Sequence, residues 1–169
     1  MDKRLGQLGI LQSHIDACRI PREEEAIVLV NGGVDVFDRQ ISMTPETFSA
    51  WVIMRKQAAN DSIELQIVSA YRSIDYQCEL FLKKLSRGVL LDEILKVNAI
   101  PGFSQHHTGR ALDLTTLDYP HLEIDFELSP AFDWLQNNAG HFGFELSYPA
   151  ENDLGIDYEP WHWAYIESE

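Results

Sequence analysis

Ser104-Gln105-His106-His107-Thr108-Gly109-Arg110-Ala111-Leu112-Asp113-Leu114 is the stretch on which the reading of this chain turns. Its second half alternates, so a short strand is expected with Leu112 and Leu114 on one face and Asp113 on the other. Its first half is a polar loop, and Gly109 permits the turn that leads into the strand. A histidine in the loop and a carboxylate on the strand, seven positions later, can converge on one metal ion; His106 and Asp113 have that spacing. His107 offers a rival register one residue on. A catalytic zinc site needs a third protein ligand and leaves a fourth position open for water. The candidate is His162 in Glu159-Pro160-Trp161-His162-Trp163, where an extended chain puts His162 on one face and both tryptophans on the other. Zinc makes water more acidic, but a nearby carboxylate must still carry the proton to the leaving amine, and Glu159 stands in place for that. Taken alone, Glu159 reads better as one more acid in an acidic loop.

Around this stretch the elements follow in order. Leu5, Leu8, Leu11, Ile15 and Cys18 recur at near-helical spacing over residues 1–20, and Pro21 closes that segment. Ala26–Val30, Asn31-Gly32-Gly33 and Val34–Phe37 read as strand, tight turn and strand. Thr44-Pro45-Glu46 is an N-cap, a proline at the first helical position and an acid in the first turn. The helix it opens should reach about Ala59 and bury Phe48, Trp51 and Val52. Ile63–Val68 alternates as a strand, Ser73 opens a helix through Leu85, and Leu90–Val97 is helical again. Ser129-Pro130 caps a further helix ending near Gly140, and Phe142–Leu146 and Trp161–Ile166 are the last strands, separated by the acidic loop 149–160. The fold class is α+β, with strands and helices intermixed in a single domain over residues 1–169.

Composition narrows the function. A chain of 169 residues with 45% hydrophobic and 24% charged content has material for one core. No apolar run is longer than the five residues of Ala26–Val30, too short for a membrane span. Two cysteines, Cys18 and Cys78, cannot make a disulfide framework, and Cys78 falls inside an amphipathic helix. Lys and Arg number 13 against 27 Asp and Glu, and none of the 13 follows Arg110. A surface of that sign repels phosphate backbones, which argues against a nucleic-acid partner. The N-terminus lacks the apolar stretch of a secretory signal, so a cytoplasmic location is expected, with the cell envelope reached by another route as the alternative. No Gly-x-Ser-x-Gly motif and no plausible cysteine nucleophile are present to support another hydrolase chemistry.

Segment 104–113 has the form Ser-x-His-x-x-Gly-x-Ala-x-Asp and segment 159–163 the form Glu-Pro-Trp-His-Trp. Ser69-Ala70-Tyr71-Arg72-Ser73 with Gln77, and Trp134-Leu135 through Phe142-Gly143-Phe144 to Ser147-Tyr148-Pro149, accompany them in order. Together they resemble the zinc D-alanyl-D-alanine carboxypeptidase family of the vancomycin-resistance type, whose fold is shared with lysostaphin and sonic hedgehog. The resemblance covers about residues 44–167, leaving an N-terminal helix and hairpin over 1–43. It implies a central, mostly antiparallel sheet flanked by helices. It also implies one zinc per chain held by His106, Asp113 and His162, with Glu159 as catalytic base. Arg72 would contact the substrate, where a planar fork suits a carboxylate or the scissile carbonyl. Gln77 and Ser104 match positions lining the pocket for the terminal D-alanine, while Tyr71, Trp161 and Trp163 are cleft wall or core. The family's spacing selects His106 over His107. Ala70 replaces the family's usual glycine, and Ala164 stands where a basic residue is common.

What the resemblance implies is hydrolysis of a peptide bond in peptidoglycan stem peptides, muropeptides or their precursors, with release of C-terminal D-alanine the first expectation. L,D-carboxypeptidase and stem-peptide endopeptidase action use the same zinc core and stay open. The alternative of another class, a non-catalytic module that binds wall peptides, is disfavoured because all three ligands and the base are present.

Overall fold

Four short strands carry the centre of the molecule. The computed structural model describes residues 3–166. Ahead of the central sheet come helices α1 (Lys3–Gln7) and α2 (Gln12–Ala17), the hairpin of β1 (Val30–Val34) and β2 (Gln40–Met43), and helix α3 (Pro45–Asn60). Then follow β3 (Gln66–Ser69), α4 (Ile74–Ser86), α5 (Leu91–Val97), β4 (Ala111–Thr115), α6 (Pro130–Asn138), β5 (Phe144–Leu146) and β6 (His162–Tyr165). The sheet runs in the order β3-β4-β6-β5 and every pair is antiparallel. Single 3₁₀ segments occupy Gln105–Thr108, Ile124–Leu128 and Ala139–Phe142.

The helices begin where side chains can satisfy their first amides. Thr44 accepts from the Thr47 amide, Ser73 from Tyr76 and Ser129 from Phe132, and Pro45 and Pro130 stand at the first helical positions. Each such cap stabilises its helix by about 1 kcal/mol. No helix among the described residues is long and apolar enough to cross a membrane.

Two apolar clusters lie on either side of the site. One joins the sheet to α3 and α6 through Met54, Leu112, Leu114, Phe132, Leu135 and Trp163. The other joins α1, α4 and α5 to the loops after them through Leu5, Phe81, Ile94, Phe103, Tyr148 and Ile156. A side chain as fully buried as Phe81 contributes about 1.5–3 kcal/mol by leaving water. Leu112 and Leu114 face the first cluster while Asp113 faces the other way, so all of β4 is buried without being wholly apolar.

Several expectations are corrected. Over residues 3–20 the chain forms two short helices with a break at Gly9, which lets Leu5, Leu8 and Ile10 all enter the second cluster while Leu11 stays exposed; residues 1 and 2 of the expected segment lie outside the described residues. Asn31-Gly32-Gly33 is not a turn but lies within β1, where the register against β2 slips between Asn31 and Gly33. Gly33 takes φ +92°, an angle at which a side chain would be strained, and a Cβ on Gly32 would meet the flexible end of Met43, its Cε, at 2.6 Å. The turn is made instead by Asp35, whose buried carboxylate accepts from the Phe37 and Arg39 amides and from Arg39 Nε. On α3 the buried residues are Thr47, Trp51, Met54 and Ala58, and Val52 points to solvent because it lies on the opposite face from Met54.

Candidate active site

Strand register assembles the first two candidate ligands. Asp113 on β4 pairs directly with His162 on β6, so their side chains leave the same face of the sheet side by side. His106 arrives from the 3₁₀ turn before β4, which ends at Gly109 with φ +67°. A side chain at Gly109 would be strained by that angle and would meet Leu29 at 2.9 Å and Thr44 at 3.2 Å. The tight turn converts a separation of seven residues into contact: His106 Nε2 lies 3.1 Å from Asp113 Oδ2, and His162 Nδ1 lies 3.0 Å from Asp113 Oδ1. One ligand atom from each of the three residues falls within 4.8 Å of the others, and all three residues are buried.

Proton placement shows what the cluster lacks. His106 Nδ1 is 2.7 Å from the Ala70 carbonyl, which can only accept, so the ring proton is on Nδ1 and Nε2 carries a lone pair. That buried Nε2 has no hydrogen-bond partner. Burial, and then the Arg72 cation, lower the His106 pKa to about 4, so the ring is neutral near pH 7. Two imidazole nitrogens and a carboxylate, with an orphaned lone pair among them, form a donor set that fits zinc.

Glu159 lies in the turn that enters β6, with its Oε2 3.7 Å from His162 Nδ1. Its amide donates to the Tyr148 carbonyl and its own carbonyl accepts from the His162 amide, which fixes the acid relative to the ligand. Burial is the main cause of a pKa raised to about 7; His162 and Arg72 oppose the shift and Asp113 adds to it. A carboxyl near neutrality is matched to taking up and returning a proton.

Arg72 follows β3 and crosses the cleft. Its Nη1 donates to Gln77 Oε1 at 3.3 Å, its Nη2 is 3.9 Å from Asp113 Oδ2, and its buried Nε has no partner. Gln77, on α4, is itself held by donation from Nε2 to the Ala99 carbonyl at 3.0 Å. Thus Gln77 aims the guanidinium as well as lining the cleft. Ser104 lines the cleft too, and its hydroxyl accepts weakly from the His106 amide at 3.4 Å.

His107 is fully occupied elsewhere. Its Nδ1 donates to the Arg72 carbonyl at 2.7 Å and its Nε2 accepts from the Gly102 amide at 3.1 Å, so neither nitrogen is available to the cluster. Trp163 packs in the sheet core against Phe132, and Trp161 packs against the same cluster, so both are core rather than cleft wall. Tyr71 lies beside Arg72 in a neighbouring groove.

Two residues that the motifs contain, but to which the sequence assigns no role, also belong here. Tyr148 lines the cleft with its ring centroid 4.8 Å from that of His162; burial, and then the charge of Glu159, raise its pKa. Gln105 Oε1 meets His162 Nε2 at 3.0 Å. Both contacts join distant segments, so local spacing gives no sign of them. Arg72, Gln77, Ser104, Tyr148 and Glu159 line one small cleft together with His106 and His162.

A cation in this cluster would face an acid poised to exchange protons and an arginine with an unpaired edge. That is the equipment of a metal-dependent hydrolase rather than of a closed structural metal site. The family model for VanY, D-alanyl-D-alanine carboxypeptidase, matches residues 40–168, and the chain belongs to that family. YodJ of Bacillus subtilis (strain 168) is 35% identical over 130 residues, which cover 72% of this chain and 45% of the relative. The chain therefore spans about half the length of that curated relative. The solved structure of the LdcB LD-carboxypeptidase is similar at 31% identity and a TM-score of 0.75, over 86% of this chain and 71% of that one. A mutant of the vancomycin resistance D,D-pentapeptidase VanY, solved in complex with Zn(II), shares the fold at 21% identity and a TM-score of 0.62, over 90% of this chain and 82% of that one.

Proposed function

We propose that this chain is a zinc-dependent carboxypeptidase that releases D-alanine from the C-terminus of peptidoglycan stem peptides or their precursors. The observation that carries the reading is a pair of buried, unpartnered nitrogens, His106 Nε2 and Arg72 Nε, beside one small cleft. Buried polar atoms of that kind are costly unless a ligand completes them. His106, Asp113 and His162 would hold zinc, which when bound supplies a Lewis acid for the scissile carbonyl and makes a neighbouring water more acidic. Zinc in the VanY structure supports that choice of metal.

The chain's own groups do the rest. Glu159 takes the proton from the attacking water and returns it to the departing amine, a role its fixed place beside the ligand His162 suits. Arg72 presents its free guanidinium edge to the substrate's carboxylate or carbonyl, held at the right angle by Gln77. The similarity to LdcB favours a second reading, cleavage of an L,D bond on the same core.

Incubating the zinc-loaded protein with synthetic stem pentapeptide and tetrapeptide, and identifying products by mass spectrometry, tests both. Loss of one alanine from the pentapeptide alone is the result expected. Loss of D-alanine from the tetrapeptide instead selects the L,D reading, and intact peptides in both cases would overturn the assignment.

A further inference from the structure

We infer that Gln105 is a positioning residue for the metal ligand His162, an inference that rests on the zinc reading above. A neutral imidazole has one ring proton. If His162 carried it on Nδ1, that N–H would point at Asp113 Oδ1, 3.0 Å away, and no lone pair would face the cluster. If the proton is on Nε2, the Nδ1 lone pair is directed toward Asp113 and Glu159, where a cation would sit. The partner of Nε2 is Gln105 Oε1 at 3.0 Å, and a carbonyl oxygen can only accept. Asp113 Oδ1 is an acceptor at the same distance from Nδ1, so Gln105 acts once a cation displaces the Nδ1 proton: by accepting from Nε2–H it holds the tautomer that makes His162 a ligand. The Ala70 carbonyl does the same for His106, with the ring reversed: there Nδ1 donates and Nε2 is left free.

The two supports differ in kind. Ala70 offers a backbone oxygen that is fixed by β3 and the loop after it, whereas Gln105 offers one end of an amide that can rotate. A rotated amide would present N–H to His162 Nε2 and favour the wrong tautomer. Gln105 is nonetheless well placed, because it is the first residue of the 3₁₀ turn whose next residue is His106 itself. One turn thus supplies a ligand and the support for a second ligand 57 residues further along the chain. Partners of this kind typically alter metal affinity 10–100-fold.

The test compares zinc affinity, by competition with a chromophoric chelator, for the wild type, Gln105→Leu and Gln105→Glu. Leucine keeps the size and removes the acceptor, while glutamate keeps an acceptor on both oxygens. Gln105→Leu should bind zinc about 10–100-fold more weakly at an unchanged melting temperature of the metal-free protein, and Gln105→Glu should bind at least as tightly as the wild type. Wild-type affinity in Gln105→Leu, or a loss in Gln105→Glu as large as in Gln105→Leu, would overturn the inference while leaving the zinc reading intact. Failure of the wild type itself to bind zinc would overturn both.

Discussion

The sheet half of the molecule and the helical half meet at the cleft, and they contribute different chemistry. β4, β6 and the turns leading into them provide His106, Asp113, His162 and Glu159, all packed behind by the sheet cluster. The other wall is built from Arg72 and from Gln77, Ser104 and Tyr148, which rest on the helical cluster. Metal-binding geometry tolerates little displacement, and it is placed where antiparallel register fixes neighbours directly. The groups proposed to hold substrate sit on loops and a helix, where one amide, Gln77, can aim a long side chain. Each half has its own glutamine support: Gln105 for an imidazole and Gln77 for a guanidinium. A division of labour of this kind predicts that substitutions on the two sides fail differently.

The largest effect should come from the acid on the sheet side. Glu159→Gln keeps the size and the hydrogen bonding but removes the proton acceptor. It should retain a full complement of zinc and bind substrate, yet lose about a thousandfold in turnover. Zinc content and single-turnover rates measured on one preparation check this. Loss of zinc would make Glu159 a ligand and break the separation between metal holding and proton transfer.

A smaller effect is expected across the cleft. Arg72→Lys preserves charge but not the planar fork, and kcat/KM should fall on the order of a hundredfold with zinc content and melting temperature unchanged. An unaltered kcat/KM would make Arg72 a structural ion-pair partner of Asp113, the carboxylate 3.9 Å away, and would place the specificity of the helical half elsewhere.

The sequence makes the sheet half more legible than the helical half, for physical reasons. Local alternation exposes β4, and capping residues mark α3, α4 and α6 almost to the residue. The ligand spacing is legible because a glycine turn and a strand are both short-range devices. The hairpin is not, because a Gly-Gly pair signals a turn until the packing of Gly32 against Met43 is known. The N-terminal segment misleads in the same way, since only the buried positions of Leu8 and Ile10 show why the helix must break. Gln105 and Tyr148 act on His162 across 57 and 14 residues, and no periodicity encodes such contacts.

Zinc stoichiometry in matched histidine variants tests the central claim most directly. Elemental analysis of purified, folded protein should find one zinc per chain in the wild type, none in His162→Ala, and one in His107→Ala, whose ring nitrogens are bonded to the Gly102 amide and the Arg72 carbonyl rather than to the cluster. Equal zinc in the wild type and His162→Ala, or loss of zinc in His107→Ala with retention in His106→Ala, would contradict the account.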